Sequence, residues 1–111
     1  MPTVEELYDE VIALQEAGQL EEAVGKLESL LRENPDYALA HAALSVYCSK
    51  LDRHEEAVKH AAKVCELKPD DPFSFTSMSI VCRKAGNTAE AENAMSQAMM
   101  KQFSARNGQD Q

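Results

Sequence analysis

The strongest constraint on this chain is an internal repeat with a period of 34 residues. The tetrapeptide Glu-Glu-Ala-Val at positions 21–24 returns at 55–58, and a related Ala-Glu-Ala-Glu follows at 89–92. Pro35 and Pro69 are separated by the same interval. Because several positions agree on one spacing, the sequence predicts a stack of similar units, each of which buries its apolar face against the next.

Each unit is predicted to contain two antiparallel helices. In the first unit, Gly18 suits the left-handed residue that ends a helix, and Pro35 ends the second helix because proline lacks a backbone donor. Asp52 and Gly86 occupy the position of Gly18 in the other two units. The apolar face of the second helix is formed by Leu20, Val24, Leu27 and Leu31.

The predicted fold class is all-α, a right-handed helical solenoid of three antiparallel helix pairs. The chain is predicted to form one three-repeat domain at 1–105, followed by a polar C-terminal tail at 106–111. The predicted repeats are about 4–37, 38–71 and 72–105. Capping residues are expected at several helix starts: Thr3 with Glu6, Asp36, Asp70 or Asp71, and Asn87 with Glu90.

Composition excludes several function classes. The formal net charge of -8 argues against nucleic acid and against anionic membrane as partners, because both attract basic surfaces. No apolar run approaches the roughly 18 residues of a membrane span, and the first residues lack the features of a secretory signal. Three cysteines without a Cys-x-x-Cys pair indicate reduced thiols and a cytoplasmic location.

The repeat resembles that of the tetratricopeptide repeat (TPR) family over about residues 4–105. Three kinds of position carry the resemblance: small residues, turn residues and closing prolines. They are Ala23, Ala57 and Ala91, then Gly18, Asp52 and Gly86, then Pro35 and Pro69. In the third repeat Phe103 replaces the closing proline, so the last helix is expected to run past the usual repeat end.

The resemblance implies where a ligand would bind. In this family the first helix of each repeat lines a concave groove, which holds a peptide or a helix of a partner protein. The corresponding residues here are Tyr8, Ile12, Leu39, Ala43, Val46, Phe73, Ser77, Ile80, Arg83 and Lys84. The middle of this surface is apolar, which favours a protein contact. The alternative is that some of these side chains only pack between repeats.

Chaperone-binding members of the family hold an acidic C-terminal carboxylate with a clamp of Lys, Asn and Arg side chains. The positions that match the clamp here carry no cation: Tyr8, Ile12, Ala43, Phe73 and Ser77. The resemblance therefore does not extend to that kind of ligand.

Charge changes along the chain. Residues 1–36 carry a net charge of -8, residues 37–71 carry -1, and residues 72–111 carry +1. A solvated acidic face explains this gradient without any function. The alternative is that the acidic first repeat steers a basic partner, or the last repeat of another copy.

The last predicted helix carries a stripe of large apolar residues at Met95, Met99 and Phe103. One interpretation is an ordinary core face. The other is an uncapped end that self-associates, as a homodimer or by head-to-tail stacking, because terminal repeats normally need a polar cap.

No catalytic motif, phosphate-binding loop or metal-binding spacing was found. His54 and His60 are six residues apart, a poor spacing for two ligands on one helix face, and Cys48 and Cys82 share a repeat position typical of a core. We therefore predict a non-catalytic adaptor or scaffold without cofactor or metal. The alternative is a structural subunit that oligomerises through its uncapped C-terminal repeat.

Overall fold

The structure, a computed structural model, describes the backbone of residues 2–109 and the side chains of residues 2–106. Within that range the regular elements are helices and there is no strand. The helices are α1 (Val4–Glu16), α2 (Leu20–Glu33), α3 (Ala38–Lys50), α4 (His54–Leu67), α5 (Pro72–Lys84) and α6 (Thr88–Gln109). Consecutive helices pack against each other, and α3 also contacts α5. The fold is an all-α helical repeat solenoid, as predicted.

The turn within each helix pair has one geometry, which confirms the predicted turn positions. Gly18, Asp52 and Gly86 have φ angles of 79°, 61° and 84°, all in the left-handed region. In each turn the next residue donates its backbone N–H to the carbonyl oxygen five residues earlier, at 2.8–2.9 Å. This bond closes the helix end in a Schellman motif, so the following helix returns antiparallel.

Helix starts agree with the prediction at two positions and differ at one. The Thr3 hydroxyl accepts a hydrogen bond from the Glu6 amide at 3.1 Å, and the Asp71 carboxylate accepts one from the Phe73 amide at 3.0 Å. The assignment of Asp36 as a cap was wrong. Helix α3 begins at Ala38 with Tyr37 in the capping position, and Asp36 lies one residue too early.

Prolines decide where the second helices end. Helices α2 and α4 have 14 residues each and stop before Pro35 and Pro69, where the preceding residues leave the helical region. Helix α6 has 22 residues because no proline stands at position 103. It therefore includes residues 106–109, which were predicted as tail. Residues 110–111 of that tail lie outside the described residues.

Small residues lie where the paired helices touch. Ala23, Ala57 and Ala91 are 0%, 0% and 1% exposed. Cys48 and Cys82 are also completely buried, as a core role predicts. The larger core side chains fill the space between helices and include Val11, Val24, Leu27 and Leu44. The division into repeats at 4–37, 38–71 and 72–105 remains a prediction, with which these helix pairs are compatible.

Replacing Gly86 or Gly25 with Ala is expected to change the free energy of unfolding in opposite directions. A Cβ atom added at Gly86 or Gly25 would meet no atom of a neighbouring residue within 4 Å. The effect of either substitution on stability therefore does not include a steric clash. Gly86→Ala places a side chain at φ 84° and is expected to destabilise the fold by about 1 kcal/mol. Gly25→Ala lies within α2 and is expected to stabilise it by roughly 0.5–1 kcal/mol. Urea denaturation followed by circular dichroism measures both, and equal signs would contradict the expectation.

Candidate functional site

Exposed large apolar side chains of the described residues fall into two groups. The first lies on α3 and α5: Leu39 is 54% exposed, Val46 44%, Phe73 77% and Ile80 46%. Leu39 and Val46 are seven residues apart, two helical turns, and so are Phe73 and Ile80. Leu39 and Phe73 line one pocket, and Val46 and Ile80 lie two turns further along the same two helices, so these four side chains are called here the apolar patch.

A pocket of about 390 Å³ opens beside the apolar patch, between α3 and α5. Leu39 and Phe73 are among its apolar lining residues, and Lys68 and Asp71 are its charged ones. The remaining lining residues are Ala38, Ala42, Val64, Ser74 and Ser77. Its volume lies at the lower end of the range of about 300–1,000 Å³ that ligand pockets occupy. The pocket can accept apolar side chains of a bound peptide.

The other predicted groove residues differ in how much surface they offer. Tyr8 and Ile12 of α1 are half-buried, and the Tyr8 ring packs edge-on against Tyr37 with centroids 6.2 Å apart. Ala43 is 7% exposed and belongs to the core, so it offers little surface to a ligand. It lies one helical turn from Leu39, but its short side chain packs into the core cluster. Ser77 is half-buried in the pocket wall.

Charges at the two ends of the predicted groove have opposite sign. Glu5 and Asp9 on α1 are exposed. Burial raises the pKa of Tyr37, and the negative charges of Glu5 and Asp9 raise it further. Arg83 and Lys84 are exposed in the last turn of α5. The surface therefore changes from acidic at α1, through apolar, to basic at the end of α5.

The second group of exposed apolar side chains lies on α6. Met99, Met100 and Phe103 are 63%, 68% and 64% exposed, whereas Met95 is half-buried. The core face of this helix is formed instead by Ala91, Ala94 and Ala98. Two members of the predicted self-association stripe are thus on the surface and one lies partly against the core.

Residues of α4 and of the α4–α5 turn at the pocket were missed by sequence reasoning. Val64, Lys68 and Asp71 line the pocket, although the groove was assigned to first helices alone. The sequence itself contained a feature from which these lining residues could have been predicted. The short connection after Pro69 holds the end of α4 close to the start of α5, where Asp71 caps the helix.

The sequence model of the tetratricopeptide repeat family matches residues 8–72, more than half of the chain. The chain belongs to the tetratricopeptide repeat family. Comparison with curated proteins gave no significant sequence match.

Several solved structures share the fold of this chain at low sequence identity. A crystal structure of MamA has a TM-score of 0.85 at 20% identity, covering 95% of this chain and 61% of its own. YrrB, described as a TPR protein with an unusual peptide-binding site, has a TM-score of 0.81 at 19% identity, covering 92% and 53%. A CopN-Scc3 complex gives 0.82 at 17% identity, covering 88% and 58%. The TPR chain spans about 60% of the length of the first of these structures.

None of the TPR helices in residues 2–109 combines the length and apolar content needed to cross a lipid bilayer.

Two histidines join three segments of the TPR stack, a contact that sequence reasoning missed. His41 Nε2 donates to the Pro35 carbonyl oxygen at 2.8 Å, because a carbonyl can only accept. In the neutral pair, His41 Nδ1 therefore accepts the proton of His60 Nδ1, at 3.0 Å. The pair ties α3 to α4 and to the α2–α3 turn. We assign it a structural role within the repeat.

This contact predicts a loss of stability in mild acid. Burial and the neighbouring His41 lower the pKa of His60, and Lys59 adds to this, while Glu28 and Glu56 oppose it. Since the folded pKa lies below the unfolded value of about 6.5, the unfolded chain binds the proton first as pH falls. The contribution is complete above pH 6.5 and is lost as pH falls through the folded pKa. The contribution is small, because His60 is partly solvated.

The variant His60→Asn isolates this effect, because its amide keeps a donor toward His41 but does not titrate between pH 5 and 8. Urea midpoints measured over that range are expected to fall more steeply with acidity in the parent chain than in the variant. Parallel curves would show that the pair does not contribute.

Proposed function

We propose that this TPR module is a non-catalytic adaptor whose groove binds a peptide or helix of a partner protein. The observation that carries the proposal is the apolar patch with its pocket. Four large apolar side chains are exposed on two adjacent helices, beside a pocket of about 390 Å³. Large apolar side chains exposed beside a pocket favour a binding site. YrrB, similar in fold, is described as having a peptide-binding site.

Burial of the patch supplies the main driving force. Phe73 and Leu39 are the most exposed side chains of the patch, at 77% and 54%. Covering a large apolar side chain fully is worth roughly 1.5–3 kcal/mol, so these two are expected to be the anchors of binding.

The charges select the orientation of the partner. A bound segment is expected to place its basic end near Glu5 and Asp9 of α1, and its acidic end near Arg83 and Lys84 of α5. Exposed charges of this kind contribute more to encounter rate and specificity than to affinity.

The thiols of the chain support an adaptor over a cysteine enzyme. Burial raises the pKa of Cys48 and of Cys65 to about 11, and burial likewise raises the pKa of Cys82. At pH 7 these groups stay protonated, whereas cysteine nucleophiles react as thiolates. TPR domains generally serve protein interaction. Three unpaired thiols fit a reducing compartment, and a cytoplasmic location remains part of the proposal.

A peptide-display selection on the immobilised chain tests the groove. Enriched peptides are expected to carry apolar residues at helical or alternating spacing, and the double variant Leu39→Ser with Phe73→Ser is expected to weaken their binding at least 30-fold. The control carries two serines on the exposed face of α4, Glu55→Ser with Lys59→Ser, and should bind as the parent does. Equal binding by all three proteins would contradict the proposal that peptides bind in the groove.

A second candidate function is self-assembly through the C-terminal repeat. It is favoured by the exposure of Met99, Met100 and Phe103 on α6, because an exposed apolar solenoid end is a common association surface. Light scattering over a concentration series tests it. A monomeric mass at high concentration would exclude this candidate and leave the adaptor function in place.

A further inference from the structure

The last eight residues of α6 have no counterpart in the other helix pairs. Helices α2 and α4 have 14 residues each, and α6 has 22. Phe103 stands where Pro35 and Pro69 end the earlier repeats, so the helix continues. The α6 arm is defined here as residues 99–106, which are the last three residues that match the shorter helices together with the first five residues of the extension.

Contacts at the base of the arm fix its direction. Lys101 Nζ lies 5.9 Å from the centre of the Phe75 ring and 4.0 Å from the Asp70 carboxylate, both close to the start of α5. Residues 102–106 are all exposed. Because the side chains of residues 102–106 and those of the apolar patch are both exposed, the arm does not cover the groove of its own chain.

The arm has one apolar face and a positive charge. At about 100° per residue, Met99, Met100 and Phe103 fall within about 100° of one another. Arg106 follows about one turn beyond Phe103, next to this face. Between Glu92 and Asp110 the sequence contains two basic residues, Lys101 and Arg106, and no acidic one. The arm is thus a short amphipathic helix with basic charge.

The groove has the complementary surface. Its apolar patch offers Leu39 and Val46 on α3 beside Phe73 and Ile80 on α5, each pair separated by about 10 Å along its helix. Helix α1, whose Tyr8 contacts Tyr37 just before α3, exposes acidic side chains at Glu5, Asp9 and Glu16. A basic amphipathic helix can therefore cover the patch while its cations face α1.

We propose that the α6 arm of a second copy occupies the groove of the first, an inference that rests on the groove being a binding site. One contact then covers both groups of exposed apolar side chains. The interface is head-to-tail, since arm and groove are different surfaces, and it leaves a free arm and a free groove at its two ends. A second copy and a partner peptide compete for one site.

Complementation between two variants tests the head-to-tail arrangement. The groove variant Leu39→Ser with Phe73→Ser keeps its arm, and the arm variant Phe103→Pro keeps its groove and restores the closing proline of the other repeats. Each variant alone is expected to be monomeric by light scattering, and an equimolar mixture is expected to form a heterodimer. An arm-to-arm contact would give no heterodimer and would overturn the proposal. Circular dichroism confirms that both variants are folded.

A synthetic peptide separates this proposal from the groove function itself. Labelled peptide 95–109 is expected to bind the Phe103→Pro variant in fluorescence anisotropy, and to bind at least 30-fold more weakly when its Met99, Met100 and Phe103 positions are serine. If it fails to bind while display-selected peptides still do, the arm is not the ligand and the groove function stands. If neither binds, both proposals fail.

Discussion

Leu44→Ala is expected to lower the free energy of unfolding by about 3 kcal/mol. Leu44 is 0% exposed in the middle of α3, so the truncation removes apolar contact and leaves a cavity that the packed helices fill only in part. The melting temperature is expected to fall by about 12 °C for a domain of this size. Thermal denaturation by circular dichroism measures it.

Leu39→Ala is the matched control, because it makes the same truncation on the same helix at a side chain that is 54% exposed. Its loss of stability is expected to stay below about 1 kcal/mol. Equal losses for the two variants would mean that Leu44 is not a core residue. The contrast also distinguishes the exposed face of α3, which we propose binds a partner, from the buried face, which stabilises the fold.

Ala57→Leu is expected to destabilise the fold by up to about 3 kcal/mol through overpacking. Ala57 is 0% exposed on α4, at a position repeated by Ala23 and Ala91, so a longer side chain must push neighbouring helices apart. Ala13→Leu is the control, because Ala13 is exposed on α1 and its substitution adds the same atoms without a clash. Urea denaturation measures both, and a stable Ala57→Leu protein would show that this contact is loose.

The sequence predicted the parts of the fold that depend on local backbone chemistry. Left-handed turns at Gly18, Asp52 and Gly86, and helix ends before Pro35 and Pro69, follow from the conformations these residues favour or forbid. The missing proline at position 103 predicted a longer last helix. Its end could not be predicted closely, because no breaker follows until Gly108.

Features that depend on packing between helices were harder to predict. Ala43 has the right position for the groove, but its burial depends on the size of side chains around it. The contact between His41 and His60 joins residues from two helices, and neither shows a motif. Val64 and Lys68 reach the pocket from a second helix because the turn after Pro69 is short. Which groove residues bind a partner remains a prediction.

The order of helix contacts has a consequence for cooperativity. Each helix packs mainly on its neighbours in sequence, and α3 with α5 is the exception among the extensive contacts. Stability in such a stack spreads by nearest-neighbour coupling, so the ends open before the middle. Opening of the α1–α2 pair alone removes Glu5 and Asp9 from the proposed binding surface, whereas opening of the α5–α6 pair removes Phe73 from the pocket. We therefore expect the acidic and the apolar parts of the proposed binding surface to open independently of each other.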